Sequence, residues 1–285
     1  MKLKKFLCVC LCLLVVFANS RYVLGVPKQK LPKEEKQIVS RTDKQKVDVS
    51  VCDKRLADMG TPQEVIDSMD ANFKSYIYEK SENTETYEGF DENLMENENS
   101  TGNNLLNARI GTISTSDMSV KVYATGVKFK GKKYVKIYPA FEWKTSCDLD
   151  NDTFAFALYD DWECKTGDEV GLTLNLINGK GVLLYQTTLK PASASSSGYG
   201  FKIPSNYASQ LMNGAHYEGY AYFYVKENEE ATRTISIKYI HDTTSPYSVS
   251  YGVSIGPASI SVTGSTDRLE VYARNLNFSY YFSSK

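Results

Sequence analysis

Residues 146–164, SCDLDNDTFAFALYDDWEC, carry a cysteine near each end and five aspartates around an apolar run. Asp148, Asp150 and Asp152 occupy alternate positions, as the first ligands of a calcium loop do. Thr153, however, stands where such a loop needs glycine, and Tyr159 where its bidentate glutamate belongs. Alternation places the three carboxylates on one side of an extended segment, and Asp160 and Asp161 begin the loop at the other end of the strand. Were the two loops adjacent, their oxygens would make a site for a hard cation, calcium. The simpler reading is a solvated polar rim, and no other cofactor is indicated. Phe154, Phe156 and Leu158 face one way and Ala155 and Ala157 the other, the pattern of a buried strand. A Cys147–Cys164 disulfide would tie its two ends, closing about 18 residues and contributing ~3 kcal/mol in the chain-entropy model.

Histidine is scarce, and that restricts catalysis. His216 and His241 are the only two, both in or beside predicted strands. A Ser-His-Asp arrangement could draw on His241 and Asp242, but neighbours on a strand point apart, and a base must meet its orienting carboxylate in space. There is no G-x-S-x-G elbow and no metal-type histidine spacing. A pair of carboxylates for glycoside hydrolysis could be drawn from many acids, but their separation is not written in sequence. The chain therefore reads as a non-enzyme, with an unrecognised hydrolase as the third alternative.

Residues 243–266, TTSPYSVSYGVSIGPASISVTGST, hold no charged side chain. Val249, Tyr251, Val253 and Ile255 alternate with Ser or Gly, and Ile260 and Val262 continue the pattern beyond Gly256-Pro257. An uncharged hairpin with one hydroxyl face is what a β-barrel pore-former inserts, so membrane contact through it is the second functional alternative. Its second arm is shorter than the ~9–11 residues of a membrane strand, which favours an ordinary sandwich hairpin.

The elements that would position these residues follow from the rest of the chain. Lys2, Lys4 and Lys5 precede the apolar run Phe6–Ala18, and Ala18-Asn19-Ser20 supplies small residues for cleavage after Ser20. Residues 1–20 thus read as a secretory signal peptide, too short in its apolar part to span a membrane. Their removal takes three lysines and no acid, leaving 30 basic against 34 acidic side chains, a net charge of −4. Nucleic acid, which calls for a concentrated basic surface, is excluded as a partner. Cys52, Cys147 and Cys164 remain, with Cys52 expected free. Residues 21–60 read as a flexible basic leader. Residues 61–80 read as one amphipathic helix: Thr61 caps, Pro62 suits the first position, and Glu64 completes a capping box. Val65, Ile66, Met69, Phe73 and Ile77 form its apolar stripe. Residues 81–105 read as an acidic, Asn-rich linker.

From residue 106 to 285 the pattern alternates with period two, and turn residues fall between short runs. SVKVYATGVKF and KKYVKIYPAFEW flank Lys130-Gly131, while EVGLTLNLI and GVLLYQTTL flank Asn178-Gly179; both pairs read as hairpins. Many short strands rich in tyrosine and phenylalanine predict a mainly β fold: an antiparallel β-sandwich preceded by a flexible leader and one short capped helix.

The leader with its capped helix at LADMGTPQEVIDSM, the FEW strand end before the aspartate-rich loop, and YIHDTTSPYSVSYGVSIGPASISV carry a further signal. In these the chain resembles uncharacterised secreted proteins of Gram-positive bacteria. The resemblance implies a bacterial exported β-protein and brings no activity or site with it. The expectation is a secreted, extracellular and cell-wall-associated protein that acts by surface binding, with a cell-surface glycan or a protein as ligand.

Overall fold

Two hairpins show how local chemistry sets the path of the chain. Lys130 and Gly131 both adopt positive φ, 49° and 77°. That geometry closes a two-residue turn matched to strand twist, and it joins β3 (Met118–Phe129) to β4 (Lys132–Trp143) along their full length. Between β7 (Leu172–Ile177) and β8 (Leu183–Leu189) the expected Asn178-Gly179 turn is replaced by a longer loop. Asn178 Oδ1 accepts from the amides of Lys180 and Val182, each at 2.9 Å, and Gly181 takes the positive φ of 75°. The side chain of Asn178 adds these to the backbone bonds of the loop, Gly181 N to Asn178 O and Asn178 N to Val182 O, each at 2.9 Å.

The computed structural model describes residues 48–92, 111–145, 152–158, 162–165, 170–203, 215–227, 234–242, 252–256, 259–263 and 269–277. All of them belong to one unit, Ser40–Lys285. The expected signal peptide, most of the leader, Asp148, Asp150, Asp160, Asp161, Cys147, Val249 and Tyr251 lie outside the described residues.

The strands form two sheets and a ribbon. The first sheet runs β1 (Thr86–Glu92), β3, β4, β11 (His216–Tyr220), β7, β8. Past the end of β11, β12 (Phe223–Glu227) takes over the same side of β4, and β6 (Trp162–Cys164) pairs with it in turn. The second sheet runs β2 (Gly111–Thr112), β16 (Leu269–Asn277), β13 (Thr234–Asp242), β5 (Asp152–Leu158), β10 (Gly198–Ile203), β9 (Ser193–Ser195). All described pairings are antiparallel except β2 with β16. The break between β11 and β12 has a cause. Pro139 sits in the middle of β4, where it cannot donate to a partner, and opposite it the neighbouring chain leaves its ladder, Ala221 N donating to Pro139 O at 3.1 Å.

The two sheets pack face to face, which makes the fold the expected antiparallel sandwich. Val120, Val122, Ile137 and Phe141 of the first meet Phe154, Phe156, Ile237 and Tyr239 of the second in one core. Ring pairs such as Phe141 with Phe154 (centroids 4.9 Å apart) and Phe156 with Phe223 (4.7 Å) span the interface. β5 is buried on both faces, as its sequence indicates. Its phenylalanines and Leu158 enter the core, while Ala155 and Ala157 pack against Ile260 of a ribbon made by β14 (Gly252–Gly256) and β15 (Ser259–Thr263). In that ribbon Ile255 pairs with Ile260 and Val253 with Val262.

The helical segment differs from the expectation in three ways. First, α1 (Val49–Asp58) lies inside the stretch read as flexible leader, with Cys52 and Leu56 fully buried. Gly60, at φ 85°, closes it: Gly60 N bonds Ala57 O at 2.9 Å and Thr61 N bonds Leu56 O at 3.1 Å, a Schellman pairing. Second, the single helix expected over 61–80 is two, α2 (Gln63–Ser68) and α3 (Ala71–Lys80). Met69 and Asp70 are extended between them, and the Asp70 carboxylate accepts from Phe73 N at 2.7 Å as the cap of α3. Third, the capping box does not form, because the Thr61 hydroxyl is shared instead with the buried phenol of Tyr123 at 2.7 Å. The apolar stripe is nevertheless used. Ile66, Met69, Phe73 and Ile77 pack with Leu56 on Tyr123, Tyr138 and Tyr220, the outer face of the first sheet. The expected linker 81–105 likewise contains β1, which adds a strand beside β3. Among the described residues no helix is long and apolar enough to cross a membrane.

Candidate functional site

Of the five aspartates singled out by spacing, Asp152 is described, and it is not on a solvated rim. It begins β5 fully buried, with Oδ2 accepting from Tyr239 OH at 2.6 Å and Oδ1 2.9 Å from His241 Nδ1. The histidine therefore finds a carboxylate across the sheet, in Asp152 of β5. Trp143 lies edge-on to both Tyr239 and His241, with centroids 5.6 Å away in each case. Asp152 thus fixes one imidazole nitrogen of His241 and ties the end of β5 to β13.

Cys164 is a free thiol, buried at 2% exposure, and the expected bond to Cys147 is not seen. β6 turns Trp162 and Cys164 into the core between the sheets and leaves Glu163 outside. Burial, against a hydrogen bond with Tyr199, pushes the Cys164 thiol up to about 12. Cys52 is free and buried too.

The charged groups that matter lie between the helices and the first sheet. Glu85, 3% exposed, accepts from Lys136 Nζ at 2.9 Å, from Thr125 and Tyr138 hydroxyls at 2.8 Å each, and from Glu82 N at 2.8 Å. Lys136 also donates to Lys80 O and sits over the rings of Tyr222 (4.7 Å), Tyr138 and Tyr224 (5.2 Å each). Burial holds its ammonium below the usual lysine range despite Glu85. This saturated pair anchors the end of α3 to β4. A second group, nearer the surface, gathers Asp70, Glu92, Lys121, Glu142, His216 and Glu218. Neither group was legible in sequence, since its members come from up to five elements.

The sheet's free margin is different in kind. Among the described residues β8 is the last strand of the first sheet, and no charged side chain occurs from Gly181 to Leu189. Its register against β7 slips by one. Leu176 faces Tyr185 and Ile177 faces Leu183, so Leu184 is the extra residue of a bulge. Leu184 is 45% exposed and Val182, just before it, 54%. Tyr185 and Leu189 pack on the inter-sheet core, so the strand itself is firmly seated. Sequence reasoning found the strand but not its edge position, which is a property of sheet order. The tyrosines that could have stacked on a sugar are elsewhere: every one whose side chain is described is buried or half-buried.

No protein-family model matches the chain, and no curated protein matches it. Solved structures with some similarity are surface domains. The pilus backbone of Streptococcus pneumoniae is 9% identical over 51% of this chain and 42% of that chain, with a TM-score of 0.28. The C-terminal domain of the Streptococcus pyogenes antigen I/II-family protein AspA is 14% identical over 54% and 42%, with a TM-score of 0.27. The collagen-binding domain from a Staphylococcus aureus adhesin is 9% identical over 57% and 98%, with a TM-score of 0.26. The chain spans less than half the length of the first two. At these values the likeness fixes neither strand order nor a binding site.

Proposed function

We propose that this chain is a secreted, non-enzymatic β-sandwich protein that binds a protein ligand, taking an extended segment of that partner along the outer side of β8. The observation that carries this is the outward bulge at Leu184 on an uncharged edge strand. Exposed apolar side chains scattered singly are ordinary. Here two of them stand at the start of an edge strand with no proline or charged side chain from Gly181 to Leu189, so that of the devices that guard natural edges the bulge is the one it carries. An added strand would gain backbone hydrogen bonds from β8 and side-chain contacts from Val182 and Leu184. A glycan ligand has less support, because the tyrosines whose side chains are described are buried or half-buried.

Panning a random-peptide phage library on the purified protein tests this. Selected peptides should be extended and alternately apolar, and their addition should shift the amide signals of residues 182–189. The double variant Val182→Lys, Leu184→Lys should keep its circular dichroism and lose at least tenfold in affinity. Peptides that bind equally well to the double variant, or that shift signals elsewhere, would overturn the assignment. So would stable self-association through β8 that leaves no free edge.

A further inference from the structure

The register of the first sheet lines up a polar row on its helix-facing side. Ser119 of β3 is paired with Glu142 of β4, which is paired with Glu218 of β11, and Glu218 with Asn175 of β7. Two glutamates directly opposite one another on one face repel, and a sheet does not place them so without a compensating cation or proton. His216, two residues before Glu218 on the same strand, shares their face. One ligand atom from each of Glu142, His216 and Glu218 lies within 4.8 Å of the other two.

We propose that Glu142, His216 and Glu218 form a binding site for one divalent transition-metal ion, with zinc as its reference ion. An imidazole nitrogen with two carboxylate oxygens is a ligand set for such ions, and inward movement of the side chains by ~0.7 Å brings all three to the ~2.1 Å of a coordination bond. The surroundings are arranged as a metal site requires. Glu218, 3% exposed at its side chain, is oriented by Asn72 Nδ2 at 3.1 Å and by Tyr220 OH at 2.6 Å. His216 and Glu142 are 19% and 26% exposed at their side chains, which leaves an entry from solvent. Lys121 is the nearby cation, and it is already held by Asp70 at 2.7 Å, with Glu92 at 3.5 Å and Glu142 at 3.2 Å. One ammonium is therefore shared among three carboxylates. Independently, Ser119 Oγ beside Glu142 is buried, in a residue 1% exposed, with no hydrogen-bond partner. A hydroxyl left so in the row finds a partner in a metal-bound water.

Zinc titration of the metal-free purified chain by calorimetry should give one saturable site, and saturation should raise the melting temperature where the same concentration of calcium does not. Cobalt in place of zinc should give a visible absorption band that His216→Ala abolishes, with zinc affinity reduced at least tenfold and circular dichroism unchanged. Glu142→Gln, at a half-exposed position, is the second variant and should weaken zinc comparably. The proposal is overturned if the chain takes up no zinc, or if both folded variants bind it as the parent does.

Discussion

The two margins of the first sheet carry the same device to opposite ends. β1 and β8 each hold a one-residue bulge, at Glu88 and at Leu184. At β1 the extra side chain turns in. Glu88 is 3% exposed and lies over Gly126, where an added Cβ would come within 2.4 Å of its carboxylate, and Lys133 approaches at 3.5 Å. The strand is further tied by Tyr87 N to Met59 O at 2.7 Å and carries Asp91 and Glu92 besides. At β8 the extra side chain turns out, among neighbours without charge. A bulge adds a residue and a twist, but whether it closes an edge or opens one depends on what that residue meets. Glu88 meets a glycine gap and an ammonium, and Leu184 meets water.

The largest effect should come from loosening the guarded margin at its anchor. Lys136→Met leaves Glu85 buried without its ammonium and should cost ~3–5 kcal/mol in urea unfolding, because removing one member of a buried pair strands the other. A loss below 1 kcal/mol would mean that Thr125, Tyr138 and Glu82 N hold the carboxylate unaided. Next, Gly126→Ala should cost ~1 kcal/mol by displacing the Glu88 side chain from its gap, at the mild end of overpacking since a carboxylate can swing outward. An unchanged midpoint would show that the inward bulge contributes nothing to closing the β1 edge.

A smaller effect concerns the acids between the margins. Burial raises the Glu142 carboxyl above its ordinary range, against the pull of Lys121 and with Asp70 and Glu218 adding to the rise. A carboxyl raised on folding favours the folded state below its unfolded value and loses that contribution as pH climbs through the folded one. Glu142→Gln should therefore be more stable than the parent at pH 7, by ~0.5 kcal/mol or less for a partly exposed site. The difference should shrink as pH falls below the carboxylate range, which paired thermal melts without added metal would follow; a gap that widens on acidification would reverse the reading. Smallest of all, Leu184→Lys alone should move stability by no more than ~0.5 kcal/mol. Differential scanning calorimetry showing a much larger loss would make Leu184 part of the core and end the contrast between the two margins.

Much of this was legible in one dimension because it depends on near neighbours. Alternation marked the strands, the Lys130-Gly131 turn set its hairpin, and phenylalanine against alanine announced that β5 is buried on both sides. The apolar stripe from Ile66 to Ile77 pointed at a partner surface. Helix α1 was missed even though its closing signal, Gly60, was in view, because Cys52 and Leu56 are few apolar groups for ten residues. They suffice because α1 packs on α3, and Leu56 reaches the tyrosines of β3, β4 and β11.

By itself, then, the sequence determined an antiparallel β fold with helical segments ahead of it, since period and turn chemistry act within a few residues. Only the tertiary structure decided which charges meet. Asp152 was read as a rim carboxylate and became the buried partner of His241, 89 positions away. Glu142 and Glu218 became opposite neighbours through the register of β4 with β11, and Leu184 became an edge residue because β8 ends the sheet among the described residues. Pairing order and register arise from the packing of all strands at once, so no local pattern encodes them.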